Sequence, residues 1–237
     1  MQVNDFINEV NKLGINVTDE QLKMLDIYYE ELVKYNSHTN ITGITKKEDV
    51  YLKHFYDSLT LFKAINLNEI NNMIDIGTGA GFPGVVIKIF FPNIDLTLLD
   101  SNGKKANFLK LIVGKLNLTN VKVVNDRAEN YAKDNLNKYD LCISRAVAFI
   151  DIISSLSIPF VKKEGIVVLM KGDFTNEKLI LEKHTSDLGI KKYEIINFKL
   201  PISDDERNLV IIEKSSDTSQ IPEYAKIVKR NKIWNSK

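Results

Sequence analysis

The sequence predicts an α/β fold: a mostly parallel, seven-stranded sheet covered by helices on both faces, ending in an antiparallel hairpin and preceded by a helical extension. Three observations predict it. From about residue 72, short apolar runs alternate with amphipathic stretches, the pattern of parallel strands joined by crossover helices. The first of these runs leads into a glycine-rich turn, DIGTGAGFPG, from Asp75 to Gly84. The last two runs, Tyr193–Phe198 and Asn208–Glu213, have only a loop between them, Lys199 to Arg207. They pair as an antiparallel hairpin at the sheet edge.

Residues 1–70 read as the helical extension. Phe6, Val10 and Leu13 share a helical face within 2–13; Leu22, Leu25, Tyr29, Leu32 and Val33 share one within 19–35. Thr18 followed by Gln21 forms a capping box for the second helix. A polar break, Asn36 to Gly43, separates it from a third helix over 46–65. Asn36 and Asn40 either cap this extension or reach the cofactor pocket. Residues 71–214 read as the sheet domain. Its strands are Met73–Ile76, Leu96–Leu99, Val121–Val124, Leu141–Ser144 and Ile166–Leu169, then the hairpin. Helices are expected near 83–91, 102–116, 127–136, 150–160 and 174–188. Residues 215–237 read as a basic tail.

Bulk properties narrow the function classes. Of 237 residues, 44% are hydrophobic and 27% charged, enough for a packed core in a soluble protein. The single cysteine, Cys142, permits no intrachain disulfide. No secretory leader is visible in MQVNDFINEV, and the apolar runs fall far short of a membrane helix. The chain reads as cytoplasmic, with no membrane partner. Net charge is only +1, but residues 1–70 carry seven lysines against eleven acidic residues, and residues 214–237 carry six basic against two acidic. The basic tail is a candidate nucleic-acid contact. Arginine is rare: Arg127, Arg145, Arg207 and Arg230 are the only four among 32 basic residues. Such positions are nominated as sites needing a planar, bidentate cation.

The glycine turn is a nucleotide-type loop. Gly77, Gly79 and Gly81 permit a tight turn and close backbone approach, and Phe82 and Pro83 lead into a helix whose first N–H groups are unpaired. Asp100 ends the next strand, placed to accept both ribose hydroxyls. Asp126-Arg127-Ala128-Glu129 follows the third strand, where an adenine contact falls. Two cofactors compete. Gly79 to Gly84 also fits the dinucleotide fingerprint, which admits a NAD-dependent oxidoreductase. Asp75, in the strand before the glycines, favours S-adenosylmethionine: a carboxylate there orients the loop and helps hold the cationic methionine end, while it opposes an anionic pyrophosphate. The terminal hairpin favours the same choice.

The fourth strand ends in Arg145-Ala146-Val147-Ala148, where a methyltransferase places acceptor-handling residues. The Asn/Asp-Pro-Pro-aromatic motif of exocyclic-amine methylation is absent. Carbon methylation of pyrimidines needs a nucleophilic cysteine, and Cys142 lies in an apolar strand and reads as core. N7 of guanine fits what remains: its in-plane lone pair needs no base, so catalysis rests on positioning and exclusion of water. With only His38, His54 and His184, no essential general base and no metal site are expected. His54 and Asp57 read as ties between the extension and the sheet domain.

At this point the motifs resemble a known family. NSHTNIT (Asn36–Thr42), HFYDSL (His54–Leu59), DIGTGAGFPG, LLDSNGK (Leu98–Lys104), SRAVA (Ser144–Ala148), Met170-Lys171-Gly172 and ERNLV (Glu206–Val210) are similar, in that order, to the bacterial small-subunit ribosomal RNA methyltransferase G family, also called glucose-inhibited division protein B. The resemblance implies a class I S-adenosylmethionine-dependent methyltransferase fold. It implies methylation of N7 of one guanine in 16S rRNA, conventionally guanine 527. It implies cofactor contacts at Gly77, Phe82, Ala128, Glu129 and Arg145, with Asp100 at the ribose, and acceptor or RNA roles for Lys171 and Arg207 beside Arg145. The expected partner is the small ribosomal subunit, its rRNA or an assembly intermediate, met by a monomer with no DNA partner. A non-catalytic RNA-binding assembly protein remains the alternative. Tyr224–Arg230 keeps the basic charge of the family's tail but lacks its prolines and glycine.

Overall fold

The extension begins with α1 (Val3–Lys12), which buries Phe6 and Val10. The structure, a computed structural model, describes residues 1–186 and 188–219; Tyr224–Arg230 and most of the predicted tail lie outside the described residues. In α2 (Asp19–Thr39) the predicted capping box is present. Gln21 N–H donates to Thr18 Oγ1 at 3.2 Å, and Thr18 N–H donates to Gln21 Oε1 at 2.9 Å. Such a cap contributes on the order of 1 kcal/mol.

The helix runs past the predicted end at 35, into the polar break, and stops where Asn40 turns left-handed at φ 48°. Asn36 Oδ1 accepts the N–H groups of Ile41 (2.7 Å) and Thr42 (2.9 Å). Both asparagines therefore cap the helix end, satisfying donors that would otherwise be orphaned. The helix predicted over 46–65 is divided. It runs as α3 (Lys47–Val50), a π-helical stretch (Tyr51–Tyr56), α4 (Asp57–Leu59) and a 3-10 turn (Thr60–Lys63). The widened π turn re-aims side chains; here it presents the Lys53 carbonyl and His54 to Arg145.

The sheet follows as β1 (Asn72–Ile76), α5 (Gly84–Phe90), β2 (Asp95–Leu99), α6 (Gly103–Lys115), β3 (Val121–Val124), α7 (Ala128–Tyr131), β4 (Tyr139–Arg145), α8 (Ile150–Ser157), β5 (Val161–Lys171), α9 (Thr175–His184), β6 (Ile190–Lys199) and β7 (Glu206–Lys214). Spatial order is β3-β2-β1-β4-β5-β7-β6. The first five strands are parallel, and β7 runs antiparallel between β5 and β6. The predicted seven-stranded sheet and its terminal hairpin are both present. β5 begins at Val161 rather than Ile166 because exposed Lys162, Lys163 and Glu164 interrupt its apolar run. The helix predicted over 127–136 shortens to α7 and a 3-10 turn (Ala132–Asp134).

Alternation along the strands divides the core between two faces. On one face Met73, Leu96 and Leu98 pack with Phe6, Leu25, Tyr28, Leu32 and Phe55 of the extension and Phe108 of α6. On the other, Ile74, Ile76 and Cys142 pack with Ile153, Phe160 and Leu181. Each large apolar side chain fully buried contributes about 1.5–3 kcal/mol, so the extension is built into the core that supports the sheet. The strand order reverses between β1 and β4, and such a reversal opens a crevice at the strands' carboxyl ends.

Candidate functional site

The loop after β1 is shaped by Asp75. Its side chain is fully buried, and Oδ2 accepts from Thr78 Oγ1–H (2.6 Å) and Gly84 N–H (2.8 Å). Those bonds clip the strand end to the first turn of α5. Burial raises its pKa to about 6, against the opposing hydrogen bonds from Thr78 and Gly84. The predicted loop-orienting role is therefore visible. The carboxylate is buried behind the loop and does not itself line the cleft at the strand ends.

Two glycines are required by geometry. At Gly77 φ is +65°, and a Cβ would lie 2.5 Å from Val147 Cγ2. At Gly81 φ is +100°, and a Cβ would lie 2.5 Å from the Tyr28 hydroxyl. That hydroxyl donates to the Ala80 carbonyl at 2.5 Å, pinning the loop to α2. Gly79 N–H donates to Asp100 Oδ2 at 2.9 Å, and Asn102 N–H donates to Oδ1 at 2.8 Å. Asp100 is thus fixed at the tip of β2 by backbone donors.

A cleft of about 380 Å³ opens where β1, β2, β3 and β4 end. Gly77 and Asp100 line it, with Asp126 to Glu129 after β3 and Ala146 to Ala148 after β4. Leu99, Ile152 and Leu156 give it an apolar wall, and Lys105 stands at its edge. This is the combination an adenosyl cofactor needs. A carboxylate, Asp100, stands just after β2, polar groups follow β3, and apolar side chains border the space between them. Gly79, Gly81, Phe82 and Arg145 do not line this cleft. Phe82 is instead sandwiched between His54 (centroids 4.2 Å apart, planes at 12°) and Tyr28 (5.2 Å, 17°).

Arg145 faces the extension. Its Nη1 donates to the Lys53 carbonyl (3.0 Å) and to Asp57 Oδ2 (3.2 Å), and its Nη2 donates to His54 Nδ1 (3.1 Å). Since guanidinium only donates, His54 Nδ1 accepts, and the ring proton on Nε2 faces Thr42 Oγ1 at 3.0 Å. Burial, reinforced by the Arg145 charge, lowers the His54 pKa to about 3. The imidazole is neutral near pH 7. Arg207 Nε donates to the other oxygen of Asp57 at 3.0 Å. One carboxylate from the extension thus holds two of the four arginines.

A second cavity, about 410 Å³, is lined by Lys53, His54, Asp57, Arg145, Lys171 and Arg207, with Ala146 at its border. A third, about 330 Å³, lies between the Ala146–Phe149 loop and Lys171, Gly172 and Glu177. Lys171 Nζ donates to the Ala148 carbonyl and pairs with Glu177 Oε2 at 2.7 Å. Residues 146–148 are therefore a thin wall between the adenosyl cleft and the cavities beyond it. Ala146 holds φ +54° there, a strained value for a residue with a Cβ.

Of the residues nominated from sequence, the structure brings Gly77, Asp100, Ala128 and Glu129 to the cleft and Arg145, Lys171 and Arg207 to the cavity beside it. Tyr28, Lys105 and Glu177 were missed. Only spatial neighbours reveal Tyr28; Glu177 reads in sequence as an ordinary acid in a helix's first turn. Cys142 is fully buried, and burial pushes its thiol pKa up, as its core reading requires. Among the described residues no cluster is arranged to hold a metal ion, and no helix is long and apolar enough to cross a membrane.

Comparison with known proteins gives one family. Residues 21–210 match the family described as rRNA small subunit methyltransferase G. The chain is 39% identical over 221 residues to the ribosomal RNA small subunit methyltransferase G of Bacillus subtilis (strain 168), covering 92% of each. It is 39% identical over 221 residues to the protein of that name from Oceanobacillus iheyensis, covering 92% of this chain and 93% of the other. Among solved structures it resembles a SAM dependent methyltransferase from Aquifex aeolicus, with TM-score 0.53 and 18% identity over 74% of this chain and 97% of the other. That last likeness is one of fold.

Proposed function

The chain belongs to the rRNA small subunit methyltransferase G family, and from that premise we propose that it methylates N7 of a guanine in small-subunit rRNA, guanine 527 of 16S rRNA by the family resemblance, using S-adenosylmethionine. The observation that carries this reading is the shared wall at Ala146–Ala148. On one side lies the cleft with Gly77, Asp100, Ala128 and Glu129; on the other lie Arg145, Lys171 and Arg207. A donor site and an acceptor site divided by three small or medium side chains suit direct transfer between two bound partners.

Bound in the cleft, S-adenosylmethionine supplies an electrophilic methyl group on a cationic sulfur. Asp100 would hold the ribose hydroxyls, and the backbone around Ala128 and Glu129 would meet the adenine edge. Gly77 leaves room for the chain between them. The basic cavity would take RNA phosphate: Arg145 and Arg207 present guanidinium groups already oriented by Asp57, which lowers the ordering cost on binding. No side chain is needed to remove a proton from N7, because that nitrogen carries none. His54, held neutral between Arg145 and Thr42, serves to orient Arg145.

With a net charge of only +1, the enzyme is expected to grip a structured ribonucleoprotein, the subunit or an assembly intermediate, better than bare RNA. It acts as a monomer in the cytoplasm. The test is methyl transfer from labelled S-adenosylmethionine to unmethylated small subunits, with the product mapped in the rRNA. Label at a single 7-methylguanine supports the reading. Cofactor binding without transfer would favour a non-catalytic assembly protein.

A further inference from the structure

The third cavity has features that the transfer reaction alone does not require. Its floor is an ion pair: Lys171 at the end of β5 and Glu177 in the first turn of α9, 2.7 Å apart, with side chains only 8% and 15% exposed. One wall is the Ala146–Phe149 loop, which leaves Phe149 39% exposed. Phe149 thus stands beside a largely buried ion pair at the same cavity. A nucleobase uses both at once: its face stacks on the ring and its edge reads the charges.

We propose that the Lys171–Glu177 pair, with Phe149, is the subsite that identifies the target base as guanine. The inference rests on the purine-N7 reading above and deepens it. Guanine's Watson–Crick edge presents an acceptor, O6, followed by two donors, N1–H and N2–H₂. The ion pair presents the complement, an ammonium donor followed by a carboxylate acceptor. Lys171 uses two of its three protons on the Ala148 carbonyl and Glu177 Oε2, leaving one for O6. The Glu177 carboxylate has lone pairs for both N1–H and N2–H₂. Adenine reverses the pattern. Its N6 amine would meet the ammonium, and its N1 lone pair would meet the carboxylate, so like faces like. N7 lies on a different edge of the purine from N1 and N2. It stays free to face the wall shared with the adenosyl cleft.

Ion pairs of this kind have an ordinary role, tying a strand end to the next helix. Specificity separates the two roles. Prepare small subunits carrying guanosine, inosine or adenosine at the methylated position, and measure kcat/KM for the wild type, Glu177→Ala and Glu177→Gln. Inosine keeps O6, N1–H and N7 and lacks only the N2 amine. The wild type should prefer guanosine over inosine by about tenfold or more, the usual worth of a bond to a charged group, and over adenosine by more still. In Glu177→Ala the guanosine/inosine ratio should fall to within about twofold. In Glu177→Gln the guanosine/adenosine ratio should fall, because an amide both donates and accepts. Each ratio is taken within one protein preparation, so loss of folded enzyme cancels. If a variant turns over too slowly to follow, the same ratios are read from its affinity for the three particles with S-adenosylhomocysteine bound.

Ratios that stay at the wild-type values in both variants, or a wild type indifferent to inosine, would overturn the subsite and leave the methyltransferase reading standing. A wild type that methylates none of the particles would overturn that reading, and the subsite with it.

Discussion

Asp57→Ala is the substitution whose consequences the structure predicts most fully. The Asp57 side chain is 4% exposed and accepts from Arg145 (3.2 Å) on one oxygen and Arg207 (3.0 Å) on the other; those arginine side chains are 14% and 19% exposed. Removal leaves two guanidinium groups in a partly desolvated pocket without their shared carboxylate; Asp205, the other acid lining the cavity, is already paired with Lys53 at 3.0 Å. A hydrogen bond to a charged group is worth about 1.5–3 kcal/mol, and breaking a buried pair by removing one partner costs about 3–5 kcal/mol. Arg145 keeps the Lys53 carbonyl and His54, and Arg207 keeps the Glu206 carbonyl, so the lower end, about 3 kcal/mol, is expected. Urea unfolding reads it: at an m-value of roughly 2–3 kcal/mol/M the midpoint falls by about 1 M. Asp57→Asn, which keeps an acceptor and loses the charge, should fall by about half as much. Methylation should drop more than stability at a temperature where both variants are folded, because both arginines lose their orientation. A midpoint for Asp57→Ala within about 0.2 M of wild type would refute the argument that this carboxylate organises the acceptor side.

Gly77→Val places a branched side chain where even a Cβ would be 2.5 Å from Val147; calorimetry should show S-adenosylhomocysteine binding abolished, and unchanged affinity would contradict the cleft assignment. Arg145→Lys keeps the charge but cannot reach three acceptors from two nitrogens; methylation should fall by about tenfold or more while S-adenosylhomocysteine affinity moves little, since Arg145 lies outside the adenosyl cleft. Full activity in that variant would refute the bidentate argument. For pH, Asp75 gives up its proton near 3.8 in the unfolded chain and near 6 in the fold. The native state therefore binds more protons between those values, and stability falls as pH rises through them. His54 has the opposite sign, with an ordinary value of 6.5 and a folded value of about 3, so its contribution is lost as pH falls below 6.5. Replacing Asp75 with Asn should make the pH 4–6 stability profile rise more steeply with pH, because only the His54 slope remains; a profile superimposable on wild type would rule out the buried carboxylate as a titrating group.

The sheet was legible because its strands are short apolar runs separated by amphipathic helices, and because the last two lack a helix between them. What failed to show was governed by long-range contacts. Lys162–Glu164 hid the start of β5, since an exposed strand end carries no apolar signal. The π-helical stretch Tyr51–Tyr56 has no sequence signature; its residues read as ordinary helix. Asp75 was legible as a residue that orients the glycine loop. A carboxylate before a glycine turn suits a cofactor ligand as well as a loop clip, and the 2.6 and 2.8 Å bonds to Thr78 and Gly84 show the clip. The rarity of arginine singled out Arg145 and Arg207, and both pair with Asp57 in the fold. It could not name that partner, which lies 88 and 150 residues away in the chain. Phe82 and Arg145, implied by resemblance to touch the cofactor, lie outside the cleft's lining: Phe82 stacks on His54, and Arg145 donates to His54 and lies over the Phe82 ring.

The central claim, a methyl donor and a guanine acceptor meeting across the Ala146–Ala148 wall, is tested most directly by transfer itself. Purified protein, labelled S-adenosylmethionine and small subunits from cells lacking the gene should give one labelled 7-methylguanine, at the position expected for the family, in 16S rRNA. Label on another nucleotide or atom, or none despite bound cofactor, would contradict it.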